Sequence, residues 1–521
     1  MQREDVQVSG SRQRTAAVLL AVLVVAAFVL RFLRLGHWGL DIDEIFMRRD
    51  SIHPRLTNPR PLLYFVNHYL VLPFRPLDEL GIRILPALFG SLAIPVLYFV
   101  TRRLLNARAA LLAALLLTVS GLHVIYSQFG RYWSLVFLLS AVYPYALYLG
   151  VRDRNRSAVV AGIVLGVLAS LAHPAAVLLV GGPAIWLLAT VVKPHHLRAL
   201  WAQRRVRYSV LVLAAVLVVI AIRFVPILQG WIHEHDANPA SGQFLLRKHM
   251  PLGIKQTFYL IGFVQGWTFS VVLTAMVGIY SMWRHHDRTL ALYLTSVAVF
   301  PILFITLAST RTPVSAYYLV PVAPVFFIGS GFFLDRLFAM EWGERPRWLV
   351  PVTVLALMMI EGAPTLVSQY LNGRRFDFRG AAHWLRPRLG SRDVIYSDQP
   401  VALGFYLPHH PVGRLRYDTL TLAQAVDTVR GADAGGAALW IVAPAPAHAL
   451  RTNLRQGGLA EWIYGHCQLR NSIGMGRVDF RQQYLQLYQC PPGGTRPARD
   501  AAVAGPTAGR TATPLSASRS R

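Results

Sequence analysis

The chain has 521 residues, of which 54% are hydrophobic and only 15% charged, with a mean hydropathy of +0.41. A soluble globular protein carries about a quarter of its residues as charges, and here the apolar residues gather into runs long enough to cross a bilayer. This excludes a disordered chain, a collagen, a disulfide-rich mini-protein and a soluble enzyme. The formal charge of +27, from 52 basic against 25 acidic residues, is mostly Arg between apolar runs. There it orients a membrane chain and meets anionic headgroups, so membrane lipids rather than nucleic acid are the expected contacts.

The first apolar run, 15–33, follows Arg12 and Arg14 and is succeeded by Arg31-Phe-Leu-Arg34 instead of the small residues of a cleavage site. This predicts a retained helix rather than a signal peptide. Further runs lie near 82–101, 109–126, 132–150, 158–172, 175–192, 208–226, 256–283, 289–308, 314–334 and 348–367, giving about eleven spans. The pair 158–172 and 175–192 is short for a full crossing, and His173-Pro174 marks a tight hairpin or break between them. Arg102, Arg103, Arg108, Arg152, Arg154 and Arg156 crowd the loops of one side, which places the N-terminus in the cytoplasm of a multi-pass inner-membrane protein. Arg31, Arg34 and Arg83 run against that bias. The expected organisation is a cytoplasmic segment 1–14 and a membrane domain 15–368 whose first outer loop is 35–80. A small extracytoplasmic α/β domain, 369–490, and a disordered tail, 491–521, follow.

In the outer domain, Asp393-Val-Ile-Tyr-Ser, Ala438-Leu-Trp-Ile-Val-Ala and 482–489 read as strands, and 379–385 and 421–429 as helices. Both cysteines, Cys467 and Cys490, fall here; an oxidising compartment permits a disulfide, and two free thiols are the alternative.

Several chemically active residues fall on the same predicted side. The first outer loop carries Asp41-Ile-Asp43-Glu44, and Arg60 opens the apolar stretch 61–74, which is expected to lie along the membrane surface. One later turn carries Tyr126-Ser-Gln128-Phe-Gly-Arg131-Tyr132, and another carries Arg311 and Tyr317-Tyr318; His173 caps a third. A carboxylate and guanidinium groups at a membrane surface suit displacement at a sugar carried on a lipid phosphate. The carboxylate takes the proton of an acceptor hydroxyl, and Arg holds the departing phosphate. Because phosphate leaves readily, the second carboxylic acid of a glycoside hydrolase is not needed.

The same residues carry a family resemblance. The chain resembles bacterial integral-membrane glycosyltransferases of the GT-C type, in the branch of the protein O-mannosyltransferases and the lipid A aminoarabinose transferase. Asp43-Glu44 matches the family's Asp-Glu pair, and the stretch from Glu79 through Arg83 and Pro86 to Gly90-Ser91 is typical of its second helix. Tyr126-Ser-Gln128-x-x-Arg131 resembles a Tyr-Ser-Gln-Glu-x-Arg-x-Tyr turn, with Phe129 in place of the Glu and the Tyr shifted to Tyr132. Arg311 through Tyr317-Tyr318 to Pro321 resembles a late Arg-Tyr-x-x-Pro signature, and Phe378-Arg-Gly-Ala-Ala-His-Trp-Leu385 resembles the segment opening the outer domain. The family's His-Pro-Pro-Leu-Tyr element appears as Arg60-Pro61-Leu-Leu-Tyr64.

The resemblance implies a polytopic α-helical GT-C protein that uses a polyprenyl-phosphate sugar donor and an envelope lipid, polysaccharide or protein as acceptor. It implies Asp43 as general base, with Glu44 orienting it or the acceptor. Arg60, Arg131, Arg311 and Tyr317 would bind the donor, and Asp41 would be a fallback base or metal ligand. The chemistry does not require a divalent metal. His233-Glu-His235-Asp236 has a metal-like look but lacks a third ligand at suitable spacing. A transporter or flippase of a lipid-linked or anionic substrate is the alternative class; such proteins carry internal repeats and midplane charges, and neither stands out here.

Overall fold

A computed structural model describes residues 2–58, 60–190, 260–309, 316–342, 346–373, 375–414, 438–445, 463, 465–473 and 484–490. The expected span 208–226, the helix 421–429, Arg311, the cluster at 233–236 and the tail from 491 lie outside them.

The chain enters through α1 (Gln2–Phe32) and then makes two short helices, α2 (Ile42–Ile52) and α3 (Pro61–Leu70). Next come α4 (Gly81–Leu104), α5 (Ala107–Val119), α6 (Gly121–Ser127), α7 (Trp133–Ser140), α8 (Tyr143–Arg152), α9 (Arg156–Ala172) and α10 (Gly181–Thr190). Further along the chain lie α11 (Phe269–His285), α12 (Arg288–Ala308), α13 (Ala323–Ala339) and α14 (Leu349–Asn372). Among the described residues six helical stretches are long and apolar enough to cross a membrane: Gln13–Phe32, Gly81–Leu104, Trp133–Arg152, Arg288–Ala308, Tyr317–Ala339 and Leu349–Leu371. Two further expected spans are bent, Ala107–Val119 with Gly121–Ser127 by 64° and Leu260–Gly266 with Phe269–His285 by 95°. The 158–172 and 175–192 runs form the shorter helices Arg156–Ala172 and Pro174–Leu188.

The bends expose backbone groups that lipid cannot satisfy, and charged side chains from other helices answer them. At the α5–α6 bend, the wholly buried Arg31 donates to the carbonyls of Leu117 (3.1 Å) and Thr118 (3.3 Å) and to His123 Nδ1 (2.8 Å). At the second bend, Glu361 of α14 accepts from the amides of Phe269 (2.6 Å) and Ser270 (3.0 Å), which open α11. These charges close helix breaks rather than line a path through the bundle. Helix α13 is buried over most of its length and packs against α5 and α11, and α1 packs against α4 and α5.

Beyond α14, the helices α15 (Phe378–Leu385) and α16 (Pro400–Tyr406) accompany a five-stranded sheet in the order β2-β1-β3-β5-β4. Strands β1 (Val394–Ser397), β2 (Val412–Arg414) and β3 (Leu439–Ala445) are parallel; β4 (Gln468–Ile473) and β5 (Tyr484–Cys490) close the sheet antiparallel. Gln468 faces Gln489 across β4 and β5, so Cys467 meets Cys490 one step further along, and the two form a disulfide. Of the two alternatives for these cysteines, the structure has the bonded one.

This sheet-bearing part is tied to the segment between α1 and α2. Tyr406 Oη accepts from the Leu40 amide (2.6 Å) and donates to Glu79 Oε1 (3.0 Å), and Arg379 donates to the His37 carbonyl. Gly373 ends α14 at φ +64°, where a Cβ would also lie 2.5 Å from Trp38. The left-handed turn it makes directs the chain so that Arg375 reaches α2.

Candidate active site

Helix α2 starts with a reciprocal cap. Asp41 accepts from the Asp43 amide and Glu44 returns a bond to the Asp41 amide, each at 3.0 Å. The cap fixes three neighbouring carboxylates in different surroundings.

Glu44 is wholly buried. Its Oε1 accepts from Arg83 Nε (2.7 Å) and the Gly130 amide (2.6 Å). Its Oε2 accepts from Arg83 Nη2 (2.7 Å), Arg375 Nη1 (2.8 Å) and the Asp41 amide (3.0 Å). Gly130 is needed for this approach, since a Cβ there would stand 2.9 Å from Ile82 and 3.1 Å from Glu44 Oε1. Burial by itself raises a carboxyl pKa, but Arg83 and Arg375 outweigh it and hold Glu44 down to about 2. Arg83 spends its other hydrogens on the carbonyls of Leu35 (3.1 Å), Trp38 (2.8 Å) and Gly39 (2.8 Å), the stretch linking α1 to α2. Glu44 therefore joins α2, α4, the Gly130 turn and the segment after α14, with no hydrogen-bonding capacity left for a substrate.

Asp41 is half-buried. Burial, with Asp43 and Glu44 alongside, raises its carboxyl to about 6.

Asp43 faces the other way. Its side chain is 46% exposed, and Oδ1 lies 3.5 Å from Arg131 Nη2, whose guanidinium also donates to the Asp43 carbonyl at 3.0 Å. Arg131 is buried, which disfavours its charge, yet Tyr132 and Asp43 beside it more than compensate and raise its pKa. The buried Tyr132 hydroxyl accepts from Arg131 Nη2 (3.2 Å) and from Arg60 Nη1 (2.5 Å). Both guanidinium carbons also lie over the Tyr132 ring, at 4.9 Å and 5.1 Å from its centroid. One tyrosine thus brings together two like charges from α3's cap and the turn after α6, a pairing that calls for an anion.

Aromatic groups wall this cluster. His173, buried, lies 4.8 Å from Tyr132 and 4.6 Å from Trp133 between ring centroids, and its Nδ1 accepts from the Ala175 amide at 3.0 Å. Tyr317, 38% exposed, packs 4.9 Å from Trp133. Of the residues expected at the site, Asp43, Arg60, Arg131 and Tyr317 gather around Tyr132 and Trp133; Asp41 caps α2 and Glu44 lies behind it. Arg311 is outside the described residues. The sequence singles out Tyr132 as the shifted tyrosine of the resembled turn and Arg83 as a charge inside an apolar span, without giving either a role at the site, and offers no sign of Arg375.

The arrangement of helices is shared with proteins of known structure. ArnT from Cupriavidus metallidurans in its apo state superposes with a TM-score of 0.54 at 19% identity, covering 92% of this chain and 98% of that one. Its structure bound to undecaprenyl phosphate gives the same TM-score at 18% identity, covering 92% and 99%. The archaeal oligosaccharyltransferase AglB from Archaeoglobus fulgidus, in complex with an inhibitory peptide and a dolichol-phosphate, gives 0.55 at 14% identity, covering 91% and 76%. The chain has the GT-C fold. A family profile described as dolichyl-phosphate-mannose-protein mannosyltransferase matches residues 61–222 of this GT-C chain, a segment that holds Arg131, Tyr132 and His173 and begins just after Arg60. No curated protein matches the chain by sequence. With this fold and six described helices long and apolar enough to cross a bilayer it is a multi-pass membrane protein, and Asp43 and the Arg60–Tyr132–Arg131 cluster lie in the connections between its apolar helices.

Proposed function

We propose that the chain is a membrane glycosyltransferase that moves a sugar from a polyprenyl-phosphate donor to a hydroxyl of an envelope lipid, polysaccharide or protein on the extracytoplasmic side. The observation that carries this reading is a half-exposed carboxylate, Asp43, 3.5 Å from a guanidinium that shares a tyrosine hydroxyl with a second guanidinium. A lone carboxylate next to a paired-Arg anion site is what direct displacement of a lipid phosphate requires.

In this mechanism Asp43 takes the acceptor hydroxyl proton as the oxygen attacks the anomeric carbon. The bond from that carbon to the phosphate oxygen breaks, and its electron pair stays on the lipid phosphate, whose growing charge Arg60 and Arg131 neutralise. A single displacement inverts the anomeric configuration. Tyr317, exposed and backed by the buried Trp133, supplies an apolar face against which a sugar ring rests. Glu44 acts at one remove, fixing the start of α2 so that Asp43 points outward, and Asp41 serves as the helix cap.

Support also comes from the lipid phosphates bound in the ArnT and AglB structures, which share the fold. The test is transfer of a labelled sugar from polyprenyl-phosphate donors by purified enzyme, with the anomeric configuration of the product read by NMR. An inverted product supports the reading; retention of configuration overturns direct displacement.

A further inference from the structure

A second charged site lies at the far end of α2. The C-terminal turn of that helix and the link to α3 form an open hollow of about 430 Å³ lined by Arg49, Asp50, His53, Arg55, Thr57 and Asn58. Arg49 pairs with Asp50 at 3.1 Å, whereas Arg55 is exposed and makes no ion pair among the described residues. The cavity is thus positive, and a hydroxyl and an amide stand among its cations.

The link and the helix that follows it carry exposed apolar side chains. Leu56 is 71% exposed beside Arg55, and Tyr69, Leu70 and Phe74 expose 63%, 62% and 86% along and just after α3, which buries Leu63, Tyr64 and Asn67 on its other face. Bare apolar side chains next to a cationic hollow match a membrane interface, where hydrocarbon and phosphate are adjacent. A soluble anion would meet the charges but leave Leu56 and Phe74 in water.

The cavity is separate from the Arg60–Tyr132–Arg131 cluster, and Asn58 is the wall between them. Asn58 Nδ2 donates to Asp50 Oδ2 (3.4 Å), and its Oδ1 accepts from the Arg60 amide (3.1 Å). Whatever fills the cavity therefore bears on the residue that holds the Arg60 backbone.

We propose that this cavity binds the phosphodiester headgroup of an anionic phospholipid, with its acyl chains against Leu56, Tyr69, Leu70 and Phe74. Arg49, Arg55 and His53 contact the phosphate, and the Thr57 hydroxyl and Asn58 amide contact the headgroup polyol. The bound lipid pins the α2–α3 link to the bilayer. This inference concerns binding and does not depend on the transferase reading.

The test is lipid retention by the full chain, followed by native mass spectrometry with phosphatidylglycerol and phosphatidylcholine offered in equal amounts. The wild type should retain phosphatidylglycerol in preference. Arg49→Ala/Arg55→Ala should lower that preference about tenfold with little change in thermal midpoint, since Arg55 is exposed and the Arg49 side chain 68% exposed. Arg49→Lys/Arg55→Lys should keep most of it, and Leu56→Ser/Phe74→Ser should weaken it with the charges intact. An unchanged preference in the Ala double variant overturns the site. Displacement of the lipid by free glycerol phosphate at equal concentration overturns the lipid as occupant.

Discussion

Glu44 and Arg83 share two hydrogen bonds of 2.7 Å, and neither side chain has any exposed surface. The pair lies at the junction of the membrane helices with the loop that presents Asp43. Removing one partner leaves the other charge buried and uncompensated, which costs about 3–5 kcal/mol. Glu44→Gln should therefore lower the thermal midpoint sharply in detergent, and Arg83→Met should do the same. A variant that unfolds like the wild type would show that the clamp does not hold the loop.

The same carboxylate gives a pH signature. Its folded pKa is about 2 against an ordinary 4.5, so its stabilising contribution is complete above about pH 4.5 and is lost as pH falls toward 2. That window corresponds to about 3 kcal/mol. Thermal midpoints measured between pH 6 and pH 3 should fall more steeply for the wild type than for Glu44→Gln.

Asp41 should behave in the opposite sense. Its carboxyl is raised from 3.8 to about 6 by burial and by its acidic neighbours, so it costs stability progressively as pH rises from about 4 to 6 and fully above that. Asn at this position still accepts from the Asp43 amide and keeps the cap. Asp41→Asn should leave stability unchanged or raise it by about 1 kcal/mol at pH 7.5, with the gain vanishing near pH 4.

Tyr132 separates geometry from charge at the paired-Arg site. Tyr132→Phe keeps the ring under both guanidinium groups and removes only the shared acceptor. It should lower kcat/KM for the donor about tenfold, or about 1.4 kcal/mol. Arg131→Ala also removes the charge that steadies the phosphate and should cost about a hundredfold or more in kcat. Equal effects from the two variants would mean that the hydroxyl, not the guanidinium, is the essential element.

The apolar runs were legible in the sequence because a bilayer demands length and hydrophobicity together, and α1, α4, α12 and α14 coincide with runs read there. The bends were not read there, although Ser120-Gly121 and Gly266 mark them locally; the freed backbone groups at each are answered by a distant side chain, Arg31 or Glu361. At the site, the separation of Asp43 from Glu44 was invisible because adjacent acids look alike in sequence. Arg83 and Arg375 distinguish them, and those residues reach Glu44 only through folding, the second from 331 positions away. The convergence of Arg60 on Arg131 through Tyr132 is likewise a tertiary fact, 72 residues apart in the chain.

The role of Asp43 is tested most directly by single-turnover transfer from a labelled polyprenyl-phosphate sugar by Asp43→Asn. Asn is nearly isosteric, and the side chain is half exposed, so the variant should fold normally and bind donor with little change. The chemical step should slow by about a hundred- to ten-thousand-fold. Transfer within a few-fold of wild type by a normally folded Asp43→Asn would contradict the proposed base.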